Sequence, residues 1–93
     1  MKQEMKIRKS LNPKKKFDAI FDDGEVVSFG AAGYTDYTLG ASETQRDRYI
    51  ARHRVAEQWN DPRSPGALSR YILWGDSRSI QQNLKSYRKR FNL

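Results

Sequence analysis

Asp23-Gly24 stands between two stretches in which apolar residues recur at every second position, and nothing else in the chain limits its fold as much. Before it, Phe17, Ala19 and Phe21 share one face of an extended segment. After it, Val27 and Phe29 share a face across residues 25–30, with Val26 on the other side. The dipeptide predicts a type I′ turn, which needs positive φ at both central residues and places glycine where that conformation is free of steric cost. Residues 17–30 therefore read as a β-hairpin. Two strands alone are marginal in water, so the remaining segments must cover them.

Upstream, residues 2–9 alternate loosely, with Met5 and Ile7 on one side, and read as an arm or an edge strand before Asn12-Pro13. Downstream, the glycines and threonines of residues 31–41 exclude a regular element, and Tyr34 and Tyr37 are expected to pack this crossover. Ser42 with Gln45 has the form of a capping box and predicts a helix from residue 43 to about residue 59. Tyr49, Ile50, His53 and Ala56 share its inner face, with Trp59 at the margin. Asn60-Asp61-Pro62 ends it, since proline disfavours helical backbone in the residue before it. Ser64-Pro65 opens a short helix to Trp74 that buries Leu68, Tyr71 and Ile72. Gly75 is expected as a left-handed stop, and Asp76 or Ser77 as the cap of a last helix to about residue 90. On that helix Ile80, Leu84, Tyr87 and Phe91 recur at spacings of four, three and four.

The expected fold is thus α+β: a β-hairpin, or a three-stranded antiparallel sheet, packed by two to three helices. Residues 1–16 form the basic arm or edge strand, and residues 17–93 form one α+β domain. Its expected core is Phe17, Phe21, Phe29, Tyr34, Tyr37, Tyr49, His53, Trp59, Leu68, Tyr71, Trp74, Ile80, Leu84 and Tyr87. Ninety-three residues suffice for such a core without staples, and with no cysteine there is neither a disulfide nor a thiolate metal site. No apolar run approaches the roughly 18–20 residues of a membrane span, and the charged N-terminus lacks the apolar stretch of a signal peptide.

The net charge of +7 is segregated along the chain. Residues 1–16 carry +6, residues 17–45 carry six acids and no Lys or Arg, and residues 46–93 carry +7. Arg8, Lys9, Lys14, Lys15 and Lys16 form one candidate anion-binding group, joined by Lys2 and Lys6, and Arg88, Lys89 and Arg90 form another. Two readings stand for each. The lysines contact a polyanion or discourage edge pairing, and the C-terminal trio binds a partner or complements the helix dipole.

Chemistry-bearing patterns are sparse. His53 has no companion His or Cys for zinc and reads as a packed histidine. The serines stand in no Gly-x-Ser-x-Gly elbow, and Gly30, Gly33 and Gly40 lack the Gly-Lys-Ser/Thr ending of a phosphate loop. Asp18, Asp22, Asp23 and Asp36 could meet Mg²⁺, but Asp22-Asp23-Gly24 is explained by its turn. No catalytic residue, metal or cofactor is expected.

Asn12-Pro13-Lys14-Lys15-Lys16-Phe17, then Phe29-Gly30, Gly33-Tyr34-x-Asp36-Tyr37-Thr38, Arg48-Tyr49-Ile50-Ala51-Arg52-His53, Trp59 and Leu68-Ser69-Arg70-Tyr71-Ile72-Leu73-Trp74 carry a resemblance over residues 10–84. In order and spacing they resemble a family of small proteins encoded by large double-stranded DNA viruses and some phages. The resemblance implies a viral origin, a small shared fold and a place in the virion or in the host cytoplasm or nucleus, and it transfers no catalytic residue. The expected function is that of a non-enzymatic, minor capsid-associated or cement-type component, touching acidic surfaces of other virion proteins or packaged DNA or RNA without inserting in a membrane. The alternative is a soluble, sequence-nonspecific nucleic-acid-binding protein.

Overall fold

A computed structural model describes residues 5–54 and 59–93. Three antiparallel strands, β1 (Met5–Lys9), β2 (Lys15–Phe21) and β3 (Val26–Ala31), form a sheet in the order β1-β2-β3. Helices α1 (Glu43–His53), α2 (Pro65–Leu68) and α3 (Ile80–Phe91) follow, so the fold is α+β. Of the basic arm, residues 5–9 form the edge strand β1, in register with β2 from Met5 opposite Phe21 to Lys9 opposite Phe17, while Lys15 and Lys16 already belong to β2. Period-two alternation turns Met5, Ala19, Phe21 and Phe29 to one face, where all four are buried.

The hairpin turn differs from the expected type I′. Neither Asp22 nor Asp23 takes positive φ, and only Gly24 does, at 91°. The Gly24 N–H donates to Phe21 O at 3.0 Å, the Phe21 N–H donates to Glu25 O at 2.9 Å, and Asp23 Oδ1 accepts the Glu25 N–H at 3.1 Å. The aspartate side chain stabilises a loop one residue longer, leaving a single left-handed position for glycine.

The opposite face of the sheet is held by one carboxylate. Asp18, 3% exposed, accepts from Ser10 Oγ (2.6 Å), Ser28 Oγ (2.7 Å), the Leu11 N–H (3.3 Å) and Arg8 Nε (3.2 Å). The hydroxyls of Ser10 and then Ser28, more than the Arg8 guanidinium, hold its carboxyl at about 2. Because the folded value lies below the ordinary 3.8, Asp18 adds stability above pH 4 that disappears as the pH falls from about 4 to 2. Urea midpoints measured over that window should fall with acidification, and Asp18→Asn should remove part of the slope.

Ser42 and Gln45 form the complete capping box: the Gln45 N–H donates to Ser42 Oγ at 3.1 Å and the Ser42 N–H donates to Gln45 Oε1 at 2.9 Å. α1 ends at His53 rather than near residue 59, Trp59 lies in a turn, and Ala56 falls outside the described residues. Its tail Arg54 still donates its N–H to Ile50 O. α1 buries no residue fully, so it lies at the margin of the core.

Ser64 caps α2 by accepting the Ala67 N–H at 3.1 Å, with Pro65 in the first turn. α2 continues into one π turn over Ser69–Leu73, where the Trp74 N–H reaches back five residues to Ser69 O at 3.0 Å. Gly75 is not a left-handed stop. It is required by proximity, since a Cβ there would lie 2.3 Å from Tyr71 O and 2.8 Å from Asn83 Cγ. The buried Asn83 amide donates to Ile72 O (2.8 Å) and Ser77 O (2.7 Å) and locks α3 against the π turn. The cap of α3 is Ser79, accepting the Gln82 N–H at 3.3 Å, in place of Asp76 or Ser77.

Leu68, Ile72, Leu73, Leu84, Tyr87 and Leu93 close the core over the sheet, with Phe17, Tyr71, Trp74, Ile80 and Phe91 packed at its edge. Among the described residues, no helix is long and apolar enough to cross a membrane.

Candidate functional site

A cleft of about 610 Å³ opens between one end of the sheet, α1 and the α2–π segment. The sheet end contributes Lys15 and Lys16, the loop after β3 contributes Tyr34 and Thr35, and α1 contributes Gln45, Arg48, Tyr49, Arg52 and His53. Positions 45, 48, 49 and 52 share a face because they stand three, four and seven residues apart on a helix. The capping box, which fixes where α1 starts, thereby fixes which side chains face the cleft.

Three rings form one wall. His53 and Tyr49 stack at 4.2 Å between centroids, and Tyr49 and Trp74 at 4.5 Å with planes 7° apart. Trp74 is held by its carbonyl, which accepts from Arg46 Nε (3.2 Å) and Arg70 Nη1 (2.9 Å). Trp74 packs against the core as expected, but the same expectation for the other rings needs correction. Tyr49, His53 and Trp59 are half-buried outside the core cluster, and Tyr34 is 73% exposed at the rim of the cleft. Tyr37, by contrast, is buried, and the Arg78 guanidinium lies 4.1 Å from its ring centre.

The cations divide by their partners. Lys16 Nζ lies 2.6 Å from Asp36 Oδ2, with the lysine side chain 13% and the aspartate 1% exposed, so its charge is spent inside the fold. Arg8 is paired with Asp18 at 3.2 Å. Arg88 Nη2 donates to Met5 O, and Arg90 lies 4.1 Å over the Tyr71 ring, so two of the C-terminal trio hold α3 against its surroundings. Arg88, Lys89 and Arg90 do not line the cleft. Lys9, Lys14 and Lys15 remain exposed near the turn between β1 and β2. Arg48 and Arg52, which lie in no basic run and were not among the candidates, are exposed and form no ion pair among the described residues. Among the described residues, no Asp or Glu lines the cleft.

Such a site can attract and hold phosphate oxygens. It has no arrangement for metal chemistry within the described residues, where no three His, Cys, Asp or Glu side chains stand close enough to hold an ion.

Residues 5–53 match a family described as Family of unknown function (DUF5754). The matched segment begins with β1 and ends with α1, and so includes Lys15, Tyr34, Arg48 and Arg52. No curated protein and no solved structure matches the chain.

Proposed function

The chain belongs to this family of unknown function, DUF5754, and we propose that it acts by binding rather than by turnover, holding the phosphate backbone of nucleic acid in the basic cleft without reading sequence. One observation carries this: Lys15, Arg48 and Arg52 converge from two elements on a cleft that, among the described residues, no carboxylate lines. A solvated cation is ordinarily balanced by neighbours of opposite sign, whereas convergence on a concave surface focuses the field outward. Base-edge readout is not part of the proposal, since the sequence carries no recognised DNA-reading motif. In the viral setting that the sequence resemblance implies, the polyanion is packaged genome and the protein a minor component of the particle. The acidic surface of a neighbouring virion protein is the second reading, favoured by the exposed Lys9 and Lys14 outside the cleft.

Fluorescence anisotropy with a labelled 12-nucleotide strand at increasing salt tests the proposal. Log affinity should fall linearly with log salt, and Lys15→Gln with Arg48→Gln and Arg52→Gln should reduce the slope by about 2–3 while leaving the circular dichroism spectrum unchanged. All three side chains are outside the core, so the fold should tolerate the change. An unchanged slope would discard the cleft as the binding site.

A further inference from the structure

The geometry points to a single strand as the form of nucleic acid that this cleft takes, with Tyr34 as the platform on which a base stacks. This rests on the backbone-binding reading above and adds to it the state of the bases.

Tyr34 has no ring or cation partner among the described residues, although every other tyrosine of the chain has one. Its ring stands 73% exposed. Yet the backbone beneath it is fixed. The Tyr34 N–H donates to Ala31 O at 3.3 Å, and the Ala32 N–H donates to Lys14 O at 3.0 Å, tying the loop to the turn between β1 and β2. Asp36, two residues on, is anchored by Lys16. A large ring on a tethered backbone, left out of the core, is a surface prepared for contact.

Its position defines the contact. Tyr34 and Lys15 line both the basic cleft and a second groove of about 740 Å³ whose walls include Phe17, Leu39 and Ile80. A strand whose phosphates lie along Lys15, Arg48 and Arg52 would therefore pass Tyr34, with an apolar groove beside the ring. Stacking on tyrosine requires a free base face. In a duplex those faces are occupied by neighbouring base pairs, whereas an unpaired strand presents them, and stacking is tolerant of sequence because every base has such a face.

Three labelled probes of 12 nucleotides separate the possibilities: oligothymidylate, an abasic strand with the same backbone, and a duplex. Tyr34→Ala should weaken oligothymidylate by about 5- to 150-fold and leave the abasic strand unchanged. Tyr34→Phe, which keeps the ring, should retain affinity for oligothymidylate. Equal losses on both strands, or a duplex bound more tightly than oligothymidylate and no effect of Tyr34→Ala, would overturn the single-strand inference while leaving backbone binding in place. Failure of the wild-type protein to bind any of the three at low salt would overturn both.

Discussion

Replacing Phe29 with alanine is expected to lower the stability by about 3–5 kcal/mol, the usual cost of truncating a fully buried aromatic ring. Phe29 is completely buried on β3, with Phe17 opposite it in register and the two ring centres 6.0 Å apart. Deleting the ring removes apolar area from the core and leaves a cavity that the sheet cannot close, because Ala19 is already small and fully buried and Leu73 is anchored in the π turn. Against the roughly 5–15 kcal/mol by which small domains are stable, such a loss removes a large share of the total. Urea unfolding checks this through a lower midpoint at unchanged slope. Trp74→Ala, at a half-buried ring, should cost less and act on the cleft wall instead.

The contrast between Phe29 and Tyr34 marks what the chain's pattern can convey. Phe29 lies in an alternating segment, where period two assigns its face without reference to anything distant. Ile80, Leu84, Tyr87 and Phe91 were legible for the same reason, with period 3.6 on α3. Tyr34 lies in a loop, where no period applies, and the argument that a bulky ring must be buried fails because a tethered backbone can hold a ring outward. The capping box at Ser42 and the N-cap at Ser64 were legible because they are local. The π turn was not, since the reach of the Trp74 N–H to Ser69 depends on Gly75 fitting against Asn83 from another helix.

Charge was legible as a total and misleading by residue. The runs Lys14-Lys15-Lys16 and Arg88-Lys89-Arg90 drew attention because their members are adjacent, but adjacency on a strand or helix points side chains in different directions. Lys16 turns to Asp36, Arg88 to Met5 and Arg90 to Tyr71, while Lys15 alone of the first run's strand residues stays exposed. Arg48 and Arg52 carry the available signal. They stand four apart on one helix face with Gln45 and Tyr49, a polar and aromatic stripe at the spacing usually reserved for apolar residues.

Asp36→Ala is the second large effect expected, a loss of about 3–5 kcal/mol, because it would strand the half-buried Lys16 ammonium without its counter-charge. The carboxylate does more than pair. It accepts the Thr38 N–H at 2.8 Å and the Leu39 N–H at 3.2 Å, capping the short 3₁₀ turn Tyr37–Leu39, and it accepts the Thr38 hydroxyl. The Ala41 N–H adds a bond to the Asp36 carbonyl, so the loop between β3 and α1 is organised around this one residue. Two contributions can be separated. Lys16→Met in the Asp36→Ala background removes the stranded charge and should recover part of the loss, while the uncapped turn keeps the remainder, about 1 kcal/mol. The same tether fixes the backbone that carries Tyr34. Asp36→Ala should therefore also weaken whatever discrimination the protein makes between an oligothymidylate and an abasic strand, measured on the folded fraction at low temperature. A loss below about 1 kcal/mol, with Lys16→Met giving no recovery, would mean that solvent satisfies Lys16 and that the loop is held by its backbone bonds alone.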